Sequence, residues 1–394
     1  MRIAFITLLI FFILNLGVDY YIFRALMSDL RRQFWCKLQF WTSIIFAAGL
    51  IVLMILPLNA LPDSMIRCLM WVLFGYIAVY LAKYTFFIFD IISRIPIIKH
   101  KHRWTWLSIT GAVLGLAGFC WLWWGALYTR FTVDVKEVDV KIKNLPTNFE
   151  NFKIVQISDI HLGTYGTDTT YISQVVNKVN SLRPDIILFT GDIVNRNSDE
   201  LRPFITTLSR LKAPFGVYSI LGNHDYGDYE EWPSEEAKGA NLDSLVSYQT
   251  KMGWKLMRNE TAWLENKGDS IALIGVENVG DPPFHTYGDL SLAYTDINDS
   301  HVKILMSHNP AHWHTDIRNS DKKVDLTLSG HTHAMQFEIF GWSPISFRYA
   351  EWGGLYVDDK NHQIYVNIGL GTVGFPARIG ATPEITLITL RNEK

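Results

Sequence analysis

The sequence is poor in cysteine and has no excess of charge of one sign. Its three cysteines, Cys36, Cys68 and Cys120, all lie in the first third of the chain, so the remainder is expected to form no disulfide. Lysine and arginine number 36 against 38 acidic residues, a formal net charge of −2. This balance lacks the basic footprint of a nucleic-acid-binding protein. No flexible Gly/Ser linker follows the apolar first third, so what comes next is expected to stay close to it.

Apolar residues make up 49% of the chain and are concentrated before about residue 130. Four stretches there are long enough to cross about 30 Å of hydrocarbon. They run from Ile3 to Phe23, Phe40 to Leu61, Met65 to Ile92 and Trp104 to Tyr128. The sequence therefore predicts a transmembrane region over residues 1–130 with about four spans, followed by a water-exposed domain over residues 131–394.

The first stretch has an alternative interpretation as a cleaved signal peptide, because Arg2 precedes its apolar core. No small-x-small cleavage site follows Leu16, which favours a retained span. Basic residues concentrate in the first and third connections: Arg24, Arg31, Arg32, Lys37, Arg94, Lys99, Lys101 and Arg103. The positive-inside rule places these connections in the cytoplasm and the C-terminal domain on the extracytoplasmic side of a plasma or inner membrane.

Ionisable residues within the predicted spans raise a second hypothesis. Lys83 and Asp90 share a face of the third span, and Asp19 near the end of the first span is a possible partner. Buried charges in a membrane are costly, so they mark candidate functional sites. The alternatives are snorkelling towards an interface or a structural pair between helices, and these are favoured over a functional site because no relay of several such groups is visible.

Beyond residue 130 short apolar runs alternate with polar turns. The apolar runs predict strands, the first of them over Val133 to Ile142 with a bulge or turn at Lys136-Glu137, then Phe152 to Ser158, Asp185 to Thr190, Phe215 to Leu221, Ser270 to Val276, Val302 to Ser307, Val324 to Leu328, Gln363 to Ile368 and Glu384 to Leu390. Helices are predicted over Tyr171 to Leu182 and Glu200 to Leu211. The fold expected is an α/β sandwich of β-sheets flanked by helices.

Polar side chains follow five of these strands where each strand ends. They are Asp159 and His161, then Asp192, then Asn223, His224 and Asp225, then His308, and finally His331 and His333. Functional groups in such folds collect beyond the carboxyl ends of strands. Mixed oxygen and nitrogen ligands without cysteine suit Mn, Fe, Co or Zn. The sequence therefore predicts a metal site, and a pair of ions about 3.5 to 4 Å apart would suit phosphoryl displacement.

These motifs resemble the calcineurin-like metallophosphoesterase superfamily over about residues 150 to 391. The ending from Arg378 to Leu390 further resembles its membrane-associated YkuE-like branch. The resemblance implies two divalent ions, manganese being the first expectation and Fe, Zn or Co the alternatives. It implies that the first ion takes Asp159, His161, Asp192 and His333, and the second Asp192, Asn223, His308 and His331, with Asp192 as the bridge.

The resemblance also implies a catalytic role for two further residues. His224 would protonate or stabilise the leaving oxygen, and Asp225 would orient its ring. One departure concerns Ala334-Met335, where the branch usually has two glycines, and it bears on substrate preference. Substrate determinants are expected in the loops 226–240 and 281–294, with His312 and His314 as candidates for the pocket rim. His285, His301 and His362 have no matching partner and are expected to be structural.

The function expected is a membrane-anchored phosphoesterase. It would hydrolyse a phosphomonoester or phosphodiester, and a lipid-linked phosphate is the first guess for the substrate, by attack of a metal-bridging hydroxide. The expected partners are the lipid bilayer and the phosphoester, without nucleic acid. The alternative is a transporter or scaffold carrying a catalytically inactive phosphoesterase-like domain, which predicts missing ligands, and none is missing.

Overall fold

The computed structural model describes residues 2–27, 33–56, 61–96, 102–281, 285–294, 297–298 and 300–393. The chain divides into two compact units, Met1–Trp124 and Gly125–Lys394. The helices are α1 (Arg2–Met27), α2 (Gln33–Ile55), α3 (Asp63–Arg94), α4 (Thr105–Leu127), α5 (Thr170–Ser181), α6 (Ile205–Leu208), α7 (Glu235–Lys251) and α8 (Leu290–Ala293). The strands are β1 (Asp134–Ile142), β2 (Lys153–Ile157), β3 (Ile186–Phe189), β4 (Val217–Ser219), β5 (Lys255–Leu256), β6 (Glu260–Asn266), β7 (Asp269–Gly275), β8 (Lys303–Met306), β9 (Leu326–Ser329), β10 (Gly354–Val357), β11 (Gln363–Val366) and β12 (Glu384–Asn392).

The first unit is built of helices α1 to α4, at the places where four spans are predicted. Within the described residues, three segments combine the length and apolar composition of a membrane span: Gln33–Val52, Asp63–Arg94 and Thr105–Phe131. Of the basic residues that set the predicted orientation, Arg31, Arg32, Lys99 and Lys101 lie outside the described residues. The N-terminal region is therefore a membrane-spanning helical region.

The intramembrane charges of this unit are paired. Lys83 Nζ lies 2.8 Å from Asp19 Oδ1, which confirms the predicted partner. Tyr80 and Gln39 also donate to the Asp19 carboxylate, at 2.6 Å and 2.9 Å. Asp90 makes no pair with Lys83 and binds Arg94 and Arg103 instead. These contacts link α1 to α2 and α3, and they satisfy charges that would be costly in hydrocarbon.

The second unit is a sandwich of two six-stranded mixed sheets, as predicted. The first sheet has the order β1-β12-β2-β3-β4-β5 and the second β10-β11-β9-β8-β7-β6. Strands β2 to β5 run parallel, and so do β7, β8, β9 and β11. Apolar residues of both sheets, such as Ile154, Leu188 and Ile304, form one fully buried core. Helix α5 packs its apolar stripe, including Ile172 and Val176, on the other face of the first sheet.

Several local predictions were wrong. Strand β1 is continuous, without a bulge, because it pairs residue for residue with β12 from Asp134↔Glu384 to Ile142↔Asn392. The helix predicted over 200–211 is a 3-10 helix, Ser198–Phe204, followed by the short α6, since Pro203 has no backbone N–H to continue an α-helix. The predicted loop 226–240 runs into α7, whose N-cap Ser234 accepts from Ala237 N–H.

We expect the Asp19–Lys83 pair to stabilise the membrane unit without taking part in chemistry. The substitution Lys83→Ala leaves the buried Asp19 carboxylate without this counter-charge and should destabilise the fold by about 3–5 kcal/mol. The double variant Asp19→Ala/Lys83→Ala removes both charges and should recover part of that loss. A double-mutant cycle on unfolding in mixed micelles measures the coupling energy. Additive single losses would show that the pair contributes nothing.

Candidate metal centre

The five polar strand ends meet at one place between the two sheets. Asp159 and His161 follow β2, Asp192 follows β3, and residues 222–225 follow β4, all in the first sheet. His308 follows β8 and His331 and His333 follow β9, in the second sheet. Parallel neighbours bring their carboxyl ends to one edge of each sheet, so the sandwich brings the two edges together.

Asp159, His161 and His333 form a first group of potential ligands. His333 Nε2 lies 3.2 Å from Asp159 Oδ1, and the Nε2 atoms of His161 and His333 lie 3.0 Å apart. Asp192 approaches the same group, with Oδ2 at 3.6 Å from His161 Nε2. All four side chains are buried. The structure thus brings together the four residues assigned to the first ion.

A second group lies on the other side of Asp192. His308 Nε2 is 3.2 Å from Asp192 Oδ2 and 3.2 Å from Asn223 Oδ1. His331 Nδ1 lies 3.3 Å from the same His308 atom. Because Asp192 Oδ2 faces both groups, one carboxylate oxygen stands where a bridging ligand is expected.

The donor set fits divalent cations. His308 Nδ1 lies 2.7 Å from the carbonyl oxygen of Thr190, which holds the proton on Nδ1 and turns Nε2 towards the cluster. His161 Nδ1 is buried and, within the described residues, has no hydrogen-bond partner. Burial lowers the pKa of His161 well below its usual value, so its ring stays neutral, as a ligand must be.

Two buried carboxylates, Asp159 and Asp192, interact with the histidines of the site. Burial opposes ionisation of Asp192, but His308 and His224 hold its pKa well below the usual range. Burial likewise disfavours the charged form of His308, yet the Asp192 and Asp159 carboxylates raise its pKa to about 9. Burial and the neighbouring His308 lower the pKa of His331 to about 4. A cation placed between these groups would be stabilised by the two carboxylates.

The structure places Asp225 differently from the prediction. Its carboxylate accepts hydrogen bonds from the backbone N–H groups of Gly222, Asp192, Ile193 and Val194. Burial and the nearby Asp192 charge raise the pKa of Asp225 to about 7. The predicted pairing of Asp225 with the His224 ring is wrong, because the carboxylate is occupied by these donors. Asp225 ties the loop after β3 to the loop after β4.

The His224 ring is held by residues that the sequence motifs do not contain. Its Nδ1 lies 2.7 Å from the carbonyl oxygen of Asn195, and Tyr229 stacks on it with ring centroids 4.2 Å apart. The ring also lies close to His161 and Asp192, so it is within reach of a metal at that position. Its backbone N–H donates to Asp192 Oδ1 at 2.9 Å. Asn195 contributes its main-chain carbonyl, which every residue type has, so the sequence could not indicate this contact.

Gly222 lies against Asp192, where a side chain would not fit. Its backbone is extended, with φ −98° and ψ 179°. A Cβ atom there would overlap the Asp192 carboxylate and backbone. Glycine is therefore needed at this position for close approach.

A cavity of about 290 Å³ opens beside the second group and is lined by Asn223, His224, Tyr229, Asp281, His331, Arg348 and Tyr349. Tyr349 OH lies 3.2 Å from His331 Nε2 and donates to Asp281 Oδ2 at 2.5 Å. Arg348 Nη2 lies 3.2 Å from the same carboxylate oxygen. Sequence reasoning missed Tyr349 and Arg348, because they come from a segment without secondary-structure periodicity.

The remaining histidines lie outside the ligand groups among the described residues. His314 lines a neighbouring cavity of about 380 Å³ with Asp281, Arg348 and Glu351, close to the predicted rim. His312 is buried, and its Nδ1 lies 2.9 Å from Ser307 Oγ. His301 packs against Trp263, and His362 pairs with Asp358. His285 lies near the Tyr287 ring.

The backbone at Ala334 and Met335 is left-handed, with φ of 50° and 49°. Glycine adopts this region without cost, whereas other residues pay about 1–2 kcal/mol each. The departure from two glycines thus carries a conformational cost, and Ala334 is fully buried next to His333, one of the potential ligands.

Fold and cluster define an α/β sandwich, joined to a membrane-spanning region, with a group of potential metal ligands at its strand ends. Residues 152–335 match the family described as calcineurin-like phosphoesterase. Residues 1–130 match the family described as probable calcineurin-like phosphoesterase, transmembrane domain. The chain belongs to the calcineurin-like metallophosphoesterases, in the group that carries a transmembrane region.

Three relatives illustrate the similarity. The uncharacterized metallophosphoesterase YkuE of Bacillus subtilis is 34% identical over 66% of this chain and 86% of its own length. A metallophosphoesterase of Campylobacter jejuni, also uncharacterized, is 29% identical over 67% of this chain and 64% of its own. A bovine transmembrane protein with metallophosphoesterase domain is 30% identical over 65% of this chain and 57% of its own length. The chain thus spans less than two thirds of the last two relatives.

We expect Tyr349 to position His331 through its contact with Nε2. Tyr349→Phe removes the hydroxyl between His331 and Asp281 and should weaken binding of one divalent ion about 10–100-fold, as loss of a partner behind a metal ligand does. Metal titration with elemental analysis of the dialysed protein measures this directly.

Tyr294→Phe is the matched control, since that hydroxyl donates to the carbonyl oxygen of Lys323 and the residue lies outside the groups of potential metal ligands. Unchanged metal stoichiometry and affinity in Tyr349→Phe would show that the ring of His331 is held without this hydroxyl.

Proposed function

We propose that the protein hydrolyses a phosphate monoester or diester with two divalent ions, manganese being the first candidate and Fe, Zn or Co the others. The observation that carries the proposal is Asp192 Oδ2, which lies 3.2 Å from His308 Nε2 and 3.6 Å from His161 Nε2. One oxygen shared by two groups of ligands is the arrangement that holds a pair of metal ions.

The residues divide into two sets of ligands in this proposal. Asp159, His161, Asp192 and His333 hold one ion, and Asp192, Asn223, His308 and His331 hold the other. When bound, the ions would acidify a water molecule for attack on phosphorus and neutralise charge on the phosphoryl oxygens. The reaction proceeds by direct displacement, without a covalent bond between the protein and phosphorus.

His224 handles the proton of the leaving group in this proposal. The Asn195 carbonyl accepts from Nδ1–H, which directs Nε2 away from the backbone and leaves it free to donate to the leaving oxygen. Tyr229 fixes the plane of the ring by stacking. Asp225 positions the loop and keeps Gly222 and Asp192 in contact, so its role is indirect.

The proposal extends to the rest of the chain. Residues 1–130 form the membrane region and residues 131–394 the phosphoesterase domain, which lies on the extracytoplasmic side. The positive-inside distribution of Arg24, Lys37, Arg94 and Arg103 supports this orientation. A lipid-linked phosphate is the proposed substrate, because anchoring holds the domain near the bilayer.

Purified full-length protein with added Mn²⁺ should hydrolyse a chromogenic phosphodiester, and chelation should abolish turnover. His224→Ala should lower kcat by about 10²–10⁴-fold, the contribution of a positioned general acid. Metal content should stay unchanged in this variant. The rate assay reports loss of a general acid and elemental analysis reports loss of a metal ligand, so the two measurements together separate these roles for His224.

His285→Ala is the control, because its ring lies outside the ligand groups and near Tyr287. Loss of metal in His224→Ala would make the residue a ligand instead of an acid. Absence of turnover with Mn, Fe, Zn and Co alike would overturn the enzyme proposal.

A reporter fused after Lys394 tests the orientation. Alkaline phosphatase, which folds only outside the cytoplasm, should be active there, and green fluorescent protein exported by the same route should stay dark. Fusion after Arg103, in the third connection, should give the opposite pair of results. A bright fluorescent fusion after Lys394 would place the catalytic domain in the cytoplasm.

A further inference from the structure

A loop beside the metal centre carries aromatic side chains into solvent. This aromatic loop, residues 335–347, begins two residues after His333. Phe340 is fully exposed, Phe347 is 87% exposed, and Trp342 is partly exposed with its ring 5.9 Å from that of Phe347. Soluble surfaces rarely group large apolar side chains in this way without a binding partner.

The tip of the loop is a tight turn with an unusual residue. Ile339 and Trp342 exchange backbone hydrogen bonds of 2.9 Å and 3.0 Å across Phe340-Gly341. Both turn residues have left-handed backbone, with φ of 52° and 75°. Asparagine, aspartate or glycine is favoured at such positions. A fully exposed phenylalanine there gains nothing from water, which points to a contact outside the domain.

The loop lies next to the point where the last membrane span ends. Glu338 N–H donates to the Ile379 carbonyl and Ile379 N–H donates to the Gln336 carbonyl, both at 2.8 Å. The neighbouring Arg378 N–H lies 3.3 Å from the carbonyl oxygen of Gly125, in the last turn of α4. The Ile379 side chain occupies the place where a Gly125 Cβ would stand.

All these residues belong to the second unit, which contains the end of the span Thr105–Phe131. The chain passes from α4 to β1 through residues 128–133 alone. Tyr128, which follows α4, is an exposed aromatic of the kind that sits at the membrane–water boundary. The aromatic loop therefore hydrogen-bonds to a segment that itself contacts the chain as it leaves the bilayer.

We propose that the aromatic loop enters the interfacial region of the lipid bilayer, with Phe340 and Phe347 as its anchors. Aromatic side chains in the interfacial region leave water and contact lipid headgroups and the upper parts of the acyl chains, so they need no protein partner. The occupant of this surface is the membrane in which α4 ends.

The loop also connects the bilayer surface with the metal centre. Ser343 Oγ donates to the Ala334 carbonyl at 2.6 Å, which ties the base of the loop to the residue after His333. Ile345 and Arg348 line the cavity beside Asn223 and His331. A loop anchored in the interface places this cavity at headgroup height. The assignment of a substrate class rests on the proposed hydrolysis. The substrate is then a phosphoester carried by a membrane lipid.

Depth-dependent quenching tests the docking without any turnover. The full chain with Cys36→Ser, Cys68→Ser and Cys120→Ser receives Phe340→Cys or Phe347→Cys, labelled with an environment-sensitive fluorophore. Each protein is reconstituted into nanodiscs of phosphatidylcholine and phosphatidylglycerol that contain a lipid with a nitroxide near the head of its acyl chain. Leu292→Cys on α8, an equally apolar position that is 64% exposed, is the matched control.

Insertion to about 5–10 Å should quench the probes at 340 and 347 at least about twofold more than the probe at 292. Equal quenching at all three positions overturns the proposal. Iodide serves as a second quencher, which acts only from the water. If lipid quenching is equal at the three positions and position 340 is protected from iodide, the loop binds a second copy of the chain, which also overturns the proposal.

A second measurement keeps the native cysteines. Phe340→p-benzoylphenylalanine in the otherwise unchanged chain should cross-link to phospholipid on illumination, detected as a lipid mass added to the peptide around residue 340. The same substitution at Leu292 should add none. Cross-linking only to protein at position 340 contradicts bilayer docking. Because neither readout needs catalysis, an inactive enzyme with a lipid-bound loop would refute the proposed hydrolysis and leave the docking intact.

Discussion

The Asp192 carboxylate is the group on which the organisation of the catalytic unit depends. Oδ2 faces His161 and His308 from the two halves of the cluster, and Oδ1 accepts the backbone N–H of His224. Its own backbone N–H donates to Asp225. Loops that follow β2, β3, β4 and β8 are thereby joined around one buried charge. Such a charge is tolerated only when it is paired, and the neighbouring histidines provide pairing to which a bound cation would add.

This arrangement requires unusual backbone. Asp159, His161, Asp192, His331 and His333 all have left-handed φ values, between 50° and 73°. Each costs of order 1–3 kcal/mol and persists only where the surrounding structure determines it. The fully buried core between the two sheets and the short strands that end at the cluster supply that constraint. Strain at the ligands is thus maintained by the sandwich, which explains why the fold and the site occur together.

The clustering of the potential ligands could be predicted from the sequence because strand ends in a parallel sheet share an edge. The groups that act on those ligands could not, for separate physical reasons. Asn195 holds His224 through a main-chain carbonyl that any residue would offer. Tyr349 reaches His331 from a segment 18 positions later in the chain, an interval that tertiary folding alone closes. The family resemblance implied that Asp225 orients the His224 ring, but successive side chains in a turn point in different directions, and the Asp225 carboxylate faces backbone N–H groups instead.

The secondary structure likewise divides into elements that the sequence predicts and elements that it does not. Strands with continuous apolar runs, such as β2 and β8, matched their predictions because burial on both faces leaves a clear signal. Helix α7 has no continuous apolar stripe and was predicted in part as a loop. Strand β6, with exposed and buried residues alternating weakly, was missed for a similar reason. Helices α1 to α4 lie at the apolar stretches that predicted them, although α2 begins at Gln33, before the predicted Phe40.

The charges of the membrane unit bear on the choice between an enzyme and a transporter. Asp19 accepts from Lys83, Tyr80 and Gln39, and Asp90 is matched by Arg94 and Arg103. A transport path needs polar groups that exchange partners with a passing ion, whereas these groups already satisfy one another between helices. In the other unit, the residues that the sequence predicts as metal ligands lie together at the strand ends. Fixed pairs between helices suit a membrane anchor, which has to hold its position, and they therefore favour the enzyme hypothesis over the transporter.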